Sequence, residues 1–317
     1  MRRHLLALKV LLSAGLVTAL LALVDWRESL AALGGASLGW ASAALLINAA
    51  ALILSARRWQ LLLRRLAPGL PFGDALRFYW AGAFFSTVLP SSVGGDVARM
   101  ALARRAGGAG PVAASVLVER ASGLLVVLVL ASISILAAPT PVLGGHAGRL
   151  LGLACAGLAL ALVLTAIGWP RLLGRAQRLP LLASAPVRRV AGRLAAFAGA
   201  LAQYRREAGT LLVTCLLSTL FYAVVVLFQF AVVSAVWSDI RLVTVLAITP
   251  VIALVMALPF SINGIGLSEG AFVLLYGQAG LTPEAALAAA LLRRLLITAV
   301  ALIGAPVWLS VRPDENS

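Results

Sequence analysis

Apolar stretches close to the length of a membrane crossing recur along the whole chain, and this pattern limits the folds it can adopt. A helix needs about 20 apolar residues to cross the hydrocarbon core. Six such stretches are found, at about 9–24, 38–55, 112–138, 150–168, 210–236 and 283–309. Only 12% of the 317 residues are charged, about half the usual share in a soluble domain. The sequence predicts an all-α polytopic membrane protein, with residues 1–317 forming one integral membrane domain.

Basic residues dominate the polar segments and predict how the chain is oriented. The formal net charge is +15, which in a soluble protein would suggest a nucleic-acid partner. In a membrane protein it reflects arginine-rich cytoplasmic loops, so we expect no nucleic-acid partner. The arginine-rich segment 57–77, which we interpret as a loop, and the N-terminus are then cytoplasmic. The basic segment 171–206 is predicted to lie on the anionic membrane surface.

The first apolar stretch has two interpretations. Arg2 and Arg3 precede it, as in a signal peptide. However, Lys9 interrupts the apolar run and no clear cleavage site follows Val24. An uncleaved first span is therefore the prediction.

Two apolar segments are interrupted by similar sequences, which we call the first and second breaks. The first, 89–96, is Leu-Pro-Ser-Ser-Val-Gly-Gly-Asp, and the second, 258–269, is Leu-Pro-Phe-Ser-Ile-Asn-Gly-Ile-Gly-Leu-Ser-Glu. Proline removes a backbone donor and disfavours helix at the preceding residue, while glycine adopts conformations that other residues avoid. Each sequence therefore predicts a helix break. The residues expected to shape and cap the breaks are Pro90, Gly94, Gly95, Asp96, Pro259, Gly264, Gly266 and Glu269.

The segments around the breaks are too short or too interrupted to be simple spans. Residues 78–89 are apolar with basic residues on both sides, which predicts a re-entrant hairpin entered from the cytoplasm. An interfacial helix followed by a surface loop is the alternative. Residues 243–276 would form a second hairpin, entered from outside, which places both termini in the cytoplasm. Hairpins entering from opposite faces are typical of inverted repeats, here about 38–168 and 210–310.

Charged residues inside two spans are the candidate functional residues. Glu119 and Arg120 follow the first break, and Arg293 and Arg294 follow the second. An arginine at such a depth costs about 2.5 kcal/mol or more unless it is paired, hydrated or reaches the headgroups. Adjacent helical side chains point about 100° apart, so Glu119 and Arg120 need not pair.

Two explanations of these charges remain open. The arginines could reach the headgroup region while Glu119 bonds a neighbouring helix. Alternatively, Arg120, Arg293 and Arg294 face an internal cavity and attract the anionic headgroup of a lipid, because guanidinium groups bind phosphate bidentately.

Helix starts at the breaks would add to a headgroup site. Free amides and the positive end of a helix dipole favour a phosphate. Ser92 and Asn263 are further candidate headgroup contacts. Ser92 or Asp96 could cap the first helix start, and Asn263 or Ser268 the second. The acids Asp96 and Glu269 could instead cap those amides themselves or pair with the arginines.

No cofactor or metal is predicted. The two histidines and the two cysteines, Cys155 and Cys215, are too few and too scattered for a metal cluster. The Gly264–Gly266 pair lacks the spacing and the preceding strand of a dinucleotide site.

The first break through Arg99, the Glu119–Arg120 pair and the second break together resemble the flippase-like transmembrane domain of lysylphosphatidylglycerol synthases, over nearly the whole chain. In that family the domain is thought to move a modified phospholipid between leaflets. The resemblance implies a flippase-like lipid transporter in the bacterial inner membrane. The arginines inside the spans indicate that the phospholipid or other amphiphile it moves has an anionic headgroup. Ser268 stands where the family pattern often has arginine, which leaves the charge pairing of Glu269 open.

The full synthases carry a soluble aminoacyl-transferase domain after the membrane part, whereas this sequence ends at Ser317. We therefore expect no lysyl-lipid synthesis and no enzymatic activity. Two alternatives remain: a lipid-modifying transferase or phosphatase with Asp96 or Glu269 as base, or a non-transporting partner of a lipid or glycan synthesis complex. The residues identify neither a homo-oligomer nor a particular synthase partner.

Overall fold

The computed structural model describes residues 2–89, 94–137, 145–167, 199–200, 203–204, 208–257 and 261–310, and within these ranges every regular element is a helix. In chain order the helices are α1 (Arg2–Leu23), α2 (Trp26–Gly34), α3 (Leu38–Leu66), α4 (Phe72–Val88), α5 (Gly94–Gly107), α6 (Ala109–Ala137), α7 (Gly145–Ile167), α8 (Ala208–Val236), α9 (Leu242–Ala257), α10 (Leu267–Gly277), α11 (Pro283–Leu302) and α12 (Gly304–Ser310). The predicted break residues Pro90, Ser92 and Pro259 lie outside the described residues, as does most of the basic segment 171–206.

Four of the described helices are long and apolar enough to cross a membrane: α3, α6, α8, and α11 continued by α12. Helices α1 and α2 meet the same criterion only as a pair, and they are bent by 84° at their junction. Helices α9 and α10 are apolar but shorter, as is the apolar part of α7, Gly148–Leu164. The predicted all-helical membrane architecture is confirmed, and the described residues contain four helices, or five with the bent pair counted as one, that are long and apolar enough to cross.

The outer face of α8 shows what surrounds the bundle. Leu212, Leu216 and Leu220 recur every four residues and are 62%, 62% and 51% exposed. Residues at this spacing lie on one face of a helix. Soluble monomers rarely expose so continuous an apolar stripe, whereas the hydrocarbon of a bilayer covers it without loss.

Helix α3 continues past residue 55, so the interpretation of residues 57–65 as a basic loop is wrong. Neither proline nor glycine interrupts residues 40–66, and the chain returns to apolar residues after Arg57 and Arg58. The helix has 29 residues, about 44 Å at 1.5 Å per residue. Arg58 and Trp59 are buried against neighbouring helices. The arginine therefore belongs to the interior of the bundle.

Helices α4 and α5 form a tight hairpin around the first break. Helix α4 begins at Phe72 rather than at the predicted residue 78. A Cβ built on Gly95 would lie 2.2 Å from the carbonyl oxygen of Gly82. Only a residue without a side chain permits this backbone-to-backbone crossing. Helices α9 and α10, on either side of the second break, also contact each other.

The C-terminal helices α11 and α12 contact α4 directly, although about 220 positions separate the contacting residues in the chain. Trp80 donates a hydrogen bond from its indole Nε1 to the carbonyl of Val300, at 2.7 Å. A Cβ on Gly304 would lie 2.2 Å from the carbonyl oxygen of Trp80, so α12 begins in direct backbone contact with α4. Helix α11 also packs on α3, α8 and α10. This packing leaves a space between α4–α6 and α9–α11.

Candidate functional site

The space between the two groups of helices is a cavity of about 510 Å³. Its charged lining residues come from both halves of the chain. Asp96, Arg99 and Arg120 belong to α5 and α6, and Arg293 and Arg294 belong to α11. The three arginines predicted to face one internal cavity are thus placed on the same cavity, although they are up to 174 positions apart in sequence.

Asp96 joins two arginines at the first break. Its carboxylate accepts a bidentate pair of hydrogen bonds from Arg120, from Nε to Oδ2 and from Nη2 to Oδ1, both at 2.9 Å. Its Oδ1 also accepts from Nη2 of Arg99 at 2.8 Å. Asp96 and Arg99 are buried, while the side chain of Arg120 is 60% exposed. Arg120 therefore carries an anchored but accessible guanidinium on the cavity wall.

Glu119 lies behind this pair and is 1% exposed. Its Oε2 accepts from Nη1 of Arg99 at 2.7 Å, and its Oε1 accepts from Nη2 of Arg58 and from the hydroxyl of Tyr79, both at 3.0 Å. The neighbouring Arg120 bonds Asp96 instead, in agreement with the diverging side chains of adjacent helical residues. Glu119 is therefore a buried link between helices and does not line the cavity.

Aromatic rings complete the surroundings of Arg99. Its guanidinium carbon lies 4.6 Å from the ring centre of Tyr79 and 5.1 Å from that of Trp59. Arginine stacks well on aromatic faces. The rings and carboxylates together hold Arg99 in one place behind Arg120.

Glu269 forms the corresponding link at the second break, and both roles considered for it are realised. Its Oε2 accepts from the backbone amide of Gly266 at 2.8 Å, which caps α10, and its Oε1 accepts from Nε of Arg294 at 2.8 Å. Ser268 Oγ accepts from Nη2 of Arg294 at 3.1 Å. Gly266, with φ of 78°, is the N-cap residue. The proposed capping of α10 by Asn263 or Ser268 is wrong, because the helix begins after Gly266.

The two acids occupy equivalent positions. Asp96 is the third residue of α5, and Glu269 is the third residue of α10. Asp96 pairs with an arginine 24 residues later, and Glu269 with one 25 residues later. Each of these arginines lies in the helix that follows. The same acid–arginine clamp thus joins the break to the next helix twice in the chain.

Asn263 connects the two breaks directly. Its side-chain amide donates to the carbonyls of Thr87 at 3.3 Å and Leu89 at 3.0 Å. The carbonyls at the end of a helix lack partners within the helix, so Asn263 caps α4 from the other half of the chain. Its φ of 49° is a conformation that asparagine tolerates better than most residues. Asn263 lines the cavity, but its donors are already engaged with α4.

Arg293 differs from the other arginines of the site. It lines the cavity, and its guanidinium carbon lies 6.0 Å from the ring centre of Phe272. Among the residues that the structure describes, it has no carboxylate partner and no side-chain hydrogen bond. Arg293 is therefore the group of the site with the most unused donors.

A comparison with protein families shows which family the chain belongs to. The family model of the lysylphosphatidylglycerol synthase TM region matches residues 6–304. The chain belongs to this family. The resemblance inferred from the two breaks and the Glu119–Arg120 pair is confirmed. As a member of the lysylphosphatidylglycerol synthase transmembrane family, the chain is a multi-pass membrane protein linked to lipid modification or lipid flipping. A search of the curated proteins gives no match.

The hydrogen bonds of Asp96 and Glu269 bear on the alternative that one of these acids is the base of a lipid-modifying enzyme. Both oxygens of Asp96 accept from guanidinium groups, and those of Glu269 accept from Arg294 and Gly266. A general base needs a lone pair directed at the proton it removes. The observed bonds favour a positioning role for both acids.

Proposed function

We propose that the protein moves a phospholipid or other amphiphile with an anionic headgroup between the leaflets of the bacterial inner membrane. The observation that carries this proposal is the shared cavity, which Arg120 lines from one half and Arg293 and Arg294 from the other. Guanidinium groups bind phosphate strongly, often bidentately. A space of about 510 Å³ is within the usual range of ligand cavities. Membership of a lipid-linked membrane family supports the same function.

The accessible donors suit a headgroup. Asp96 engages Nε and Nη2 of Arg120, which leaves Nη1 for a ligand. Arg293 has all of its donors free of described protein partners. A headgroup that enters the cavity therefore meets Arg120 already held in position by Asp96, so little ordering of that side chain accompanies binding.

To move a lipid between leaflets, the cavity must open to one leaflet and then to the other. Two repeats that can rock against each other provide these two arrangements of the helices. We regard α4–α6 and α9–α11 as inverted repeats, with re-entrant hairpins α4–α5 and α9–α10 entered from opposite faces. The equivalent clamps Asp96–Arg120 and Glu269–Arg294 support this assignment. Rocking of such repeats around a fixed central site is a common basis of alternating access.

The remaining topology follows from the same scheme. Six full spans, α7 and the α1–α2 region included, would place both termini in the cytoplasm. The basic segment 171–206 would then meet the anionic inner leaflet, where each arginine or lysine near the surface adds about 1 kcal/mol of attraction.

Replacing Arg293 by glutamine is expected to slow headgroup translocation by about 10- to 100-fold. A charge-assisted hydrogen bond contributes about 1.5–3 kcal/mol, and each 1.4 kcal/mol is a factor of ten. The measurement follows a headgroup-labelled anionic lipid across proteoliposome membranes, with protein-free vesicles as the background. Arg77→Gln is the matched control, because Arg77 is exposed, pairs with Asp74 and does not line the cavity.

If the Arg293→Gln and Arg120→Gln variants both translocate the lipid at the wild-type rate, the assigned site is contradicted. Equal slowing by Arg77→Gln would also contradict it, since the loss would then follow overall charge rather than the cavity.

A further inference from the structure

The charges of the ion-pair network in the first half do not cancel. Arginine stays protonated in proteins, so Arg58, Arg99 and Arg120 each carry a positive charge. These three guanidiniums form one connected network with two carboxylates, Asp96 and Glu119. One positive charge is left over. It is available at the cavity, where Arg120 is the exposed member of the network.

The second half repeats this imbalance with a different set of residues. Arg293 and Arg294 are neighbours on α11, and Glu269 pairs with Arg294. One positive charge again remains, and in the described part of the chain it belongs to Arg293, which has no acidic partner. Each half therefore presents one uncompensated positive charge to the same cavity.

The other acidic residues that the structure describes do not neutralise these charges. Of the eleven acidic residues in the sequence, Asp25, Glu28, Asp74, Asp239 and Glu284 are described and do not line the cavity. Asp25 caps α2, and Asp74 pairs with Arg77. The parts of the two breaks outside the described residues, 90–93 and 258–260, contain no acid.

An uncompensated charge within a membrane protein is unfavourable, and a bound counter-charge removes the penalty. We propose that the occupant of the cavity carries two negative charges on its phosphate end, as a lipid phosphomonoester or diphosphate does, and bridges Arg120 and Arg293. This inference rests on the headgroup site of the proposed function and specifies its substrate class. A phosphodiester lipid with a single negative charge leaves one of the two halves uncompensated.

Two lipids that differ in the number of negative charges on the phosphate test whether the second charge contributes to binding. Dioleoyl phosphatidate and dioleoyl phosphatidylmethanol have the same tails, and at pH 8.5 only the phosphomonoester carries close to two negative charges. We expect the purified full-length protein in nanodiscs to bind phosphatidate at least tenfold more tightly, measured by native mass spectrometry. Arg293→Gln is expected to reduce this preference to less than threefold, and Arg77→Gln to leave it unchanged.

Competition with free phosphate shows whether the site binds a lipid phosphate or a soluble one. Free inorganic phosphate and pyrophosphate should displace phosphatidate only weakly, because the proposed occupant is held by its tails as well as its phosphate. Complete displacement by millimolar inorganic phosphate would overturn the lipid assignment. Neutralising the three acids outside the described residues, Glu207, Asp314 and Glu315, should leave the preference unchanged. A change would show that a protein carboxylate supplies the missing charge.

The inference and the proposed function can fail separately. Equal affinity for phosphatidate and phosphatidylmethanol would overturn the two-charge inference even if Arg293-dependent translocation is observed. A tenfold preference without translocation in proteoliposomes would support the site and overturn the transport function.

Discussion

Replacing Glu119 by glutamine is expected to destabilise the protein by about 3–5 kcal/mol, the usual cost of removing one partner from a buried ion pair. Glu119 is 1% exposed and bonds both Arg58 and Arg99. Glutamine keeps the shape but removes the negative charge, so two buried guanidiniums lose their shared carboxylate. The free energy of unfolding in mixed micelles, followed by titration with a denaturing detergent, measures the effect.

Two further variants make this prediction specific. Asp74→Asn removes the exposed pair with Arg77, whose side chains are 40% and 61% exposed, and should cost less than about 1 kcal/mol. The double variant Glu119→Gln with Arg58→Gln should recover part of the loss, because it also removes a stranded charge. Strictly additive losses in the double variant would contradict a charge-based role for Glu119, since coupled residues give non-additive changes.

Replacing Gly95 by alanine is expected to cost about 3 kcal/mol, at the upper end of the usual range for overpacking. The new Cβ would lie 2.2 Å from the carbonyl oxygen of Gly82, and backbone cannot move aside as a flexible side chain can. The α4–α5 hairpin must open, which also displaces Asp96 from Arg120. The same unfolding titration measures the effect, and slower lipid translocation is expected to accompany it.

Gly270→Ala is the matched control in the other hairpin. Gly270 lies inside α10, and a Cβ there meets no atom within 4 Å. Alanine in a helix interior is favoured over glycine by about 0.5–1 kcal/mol, so this variant should be unchanged or more stable. Similar losses for Gly95→Ala and Gly270→Ala would contradict the importance of the Gly82–Gly95 crossing.

The sequence was sufficient to predict the helical membrane class, the two breaks and three cavity arginines, Arg120, Arg293 and Arg294. Apolar stretches and proline–glycine breaks are local signals, and Arg120, Arg293 and Arg294 are conspicuous because they interrupt apolar runs. The capping role of Glu269 was also available locally, since an acid in the first turn of a helix commonly bonds free amides.

The partners of these residues could not be predicted in the same way. Arg58 was assigned to a loop because basic residues at the end of an apolar run usually mark the cytoplasmic side. The apolar residues 61–63 after it, without a helix breaker, were the signal for a longer helix. Arg99 was assigned to a basic flank, although it is 2% exposed and bonds Glu119. Such contacts depend on how α3, α5 and α6 pack, which no local pattern specifies.

An experimental structure of the protein in nanodiscs containing dioleoyl phosphatidate tests the shared headgroup site most directly. The expected result is phosphate density inside the cavity, within hydrogen-bonding distance of Arg120 from one half and Arg293 from the other, with Asp96 still bound to Arg120. Phosphate density only on the outer surface, with the cavity closed or filled by side chains, would contradict it.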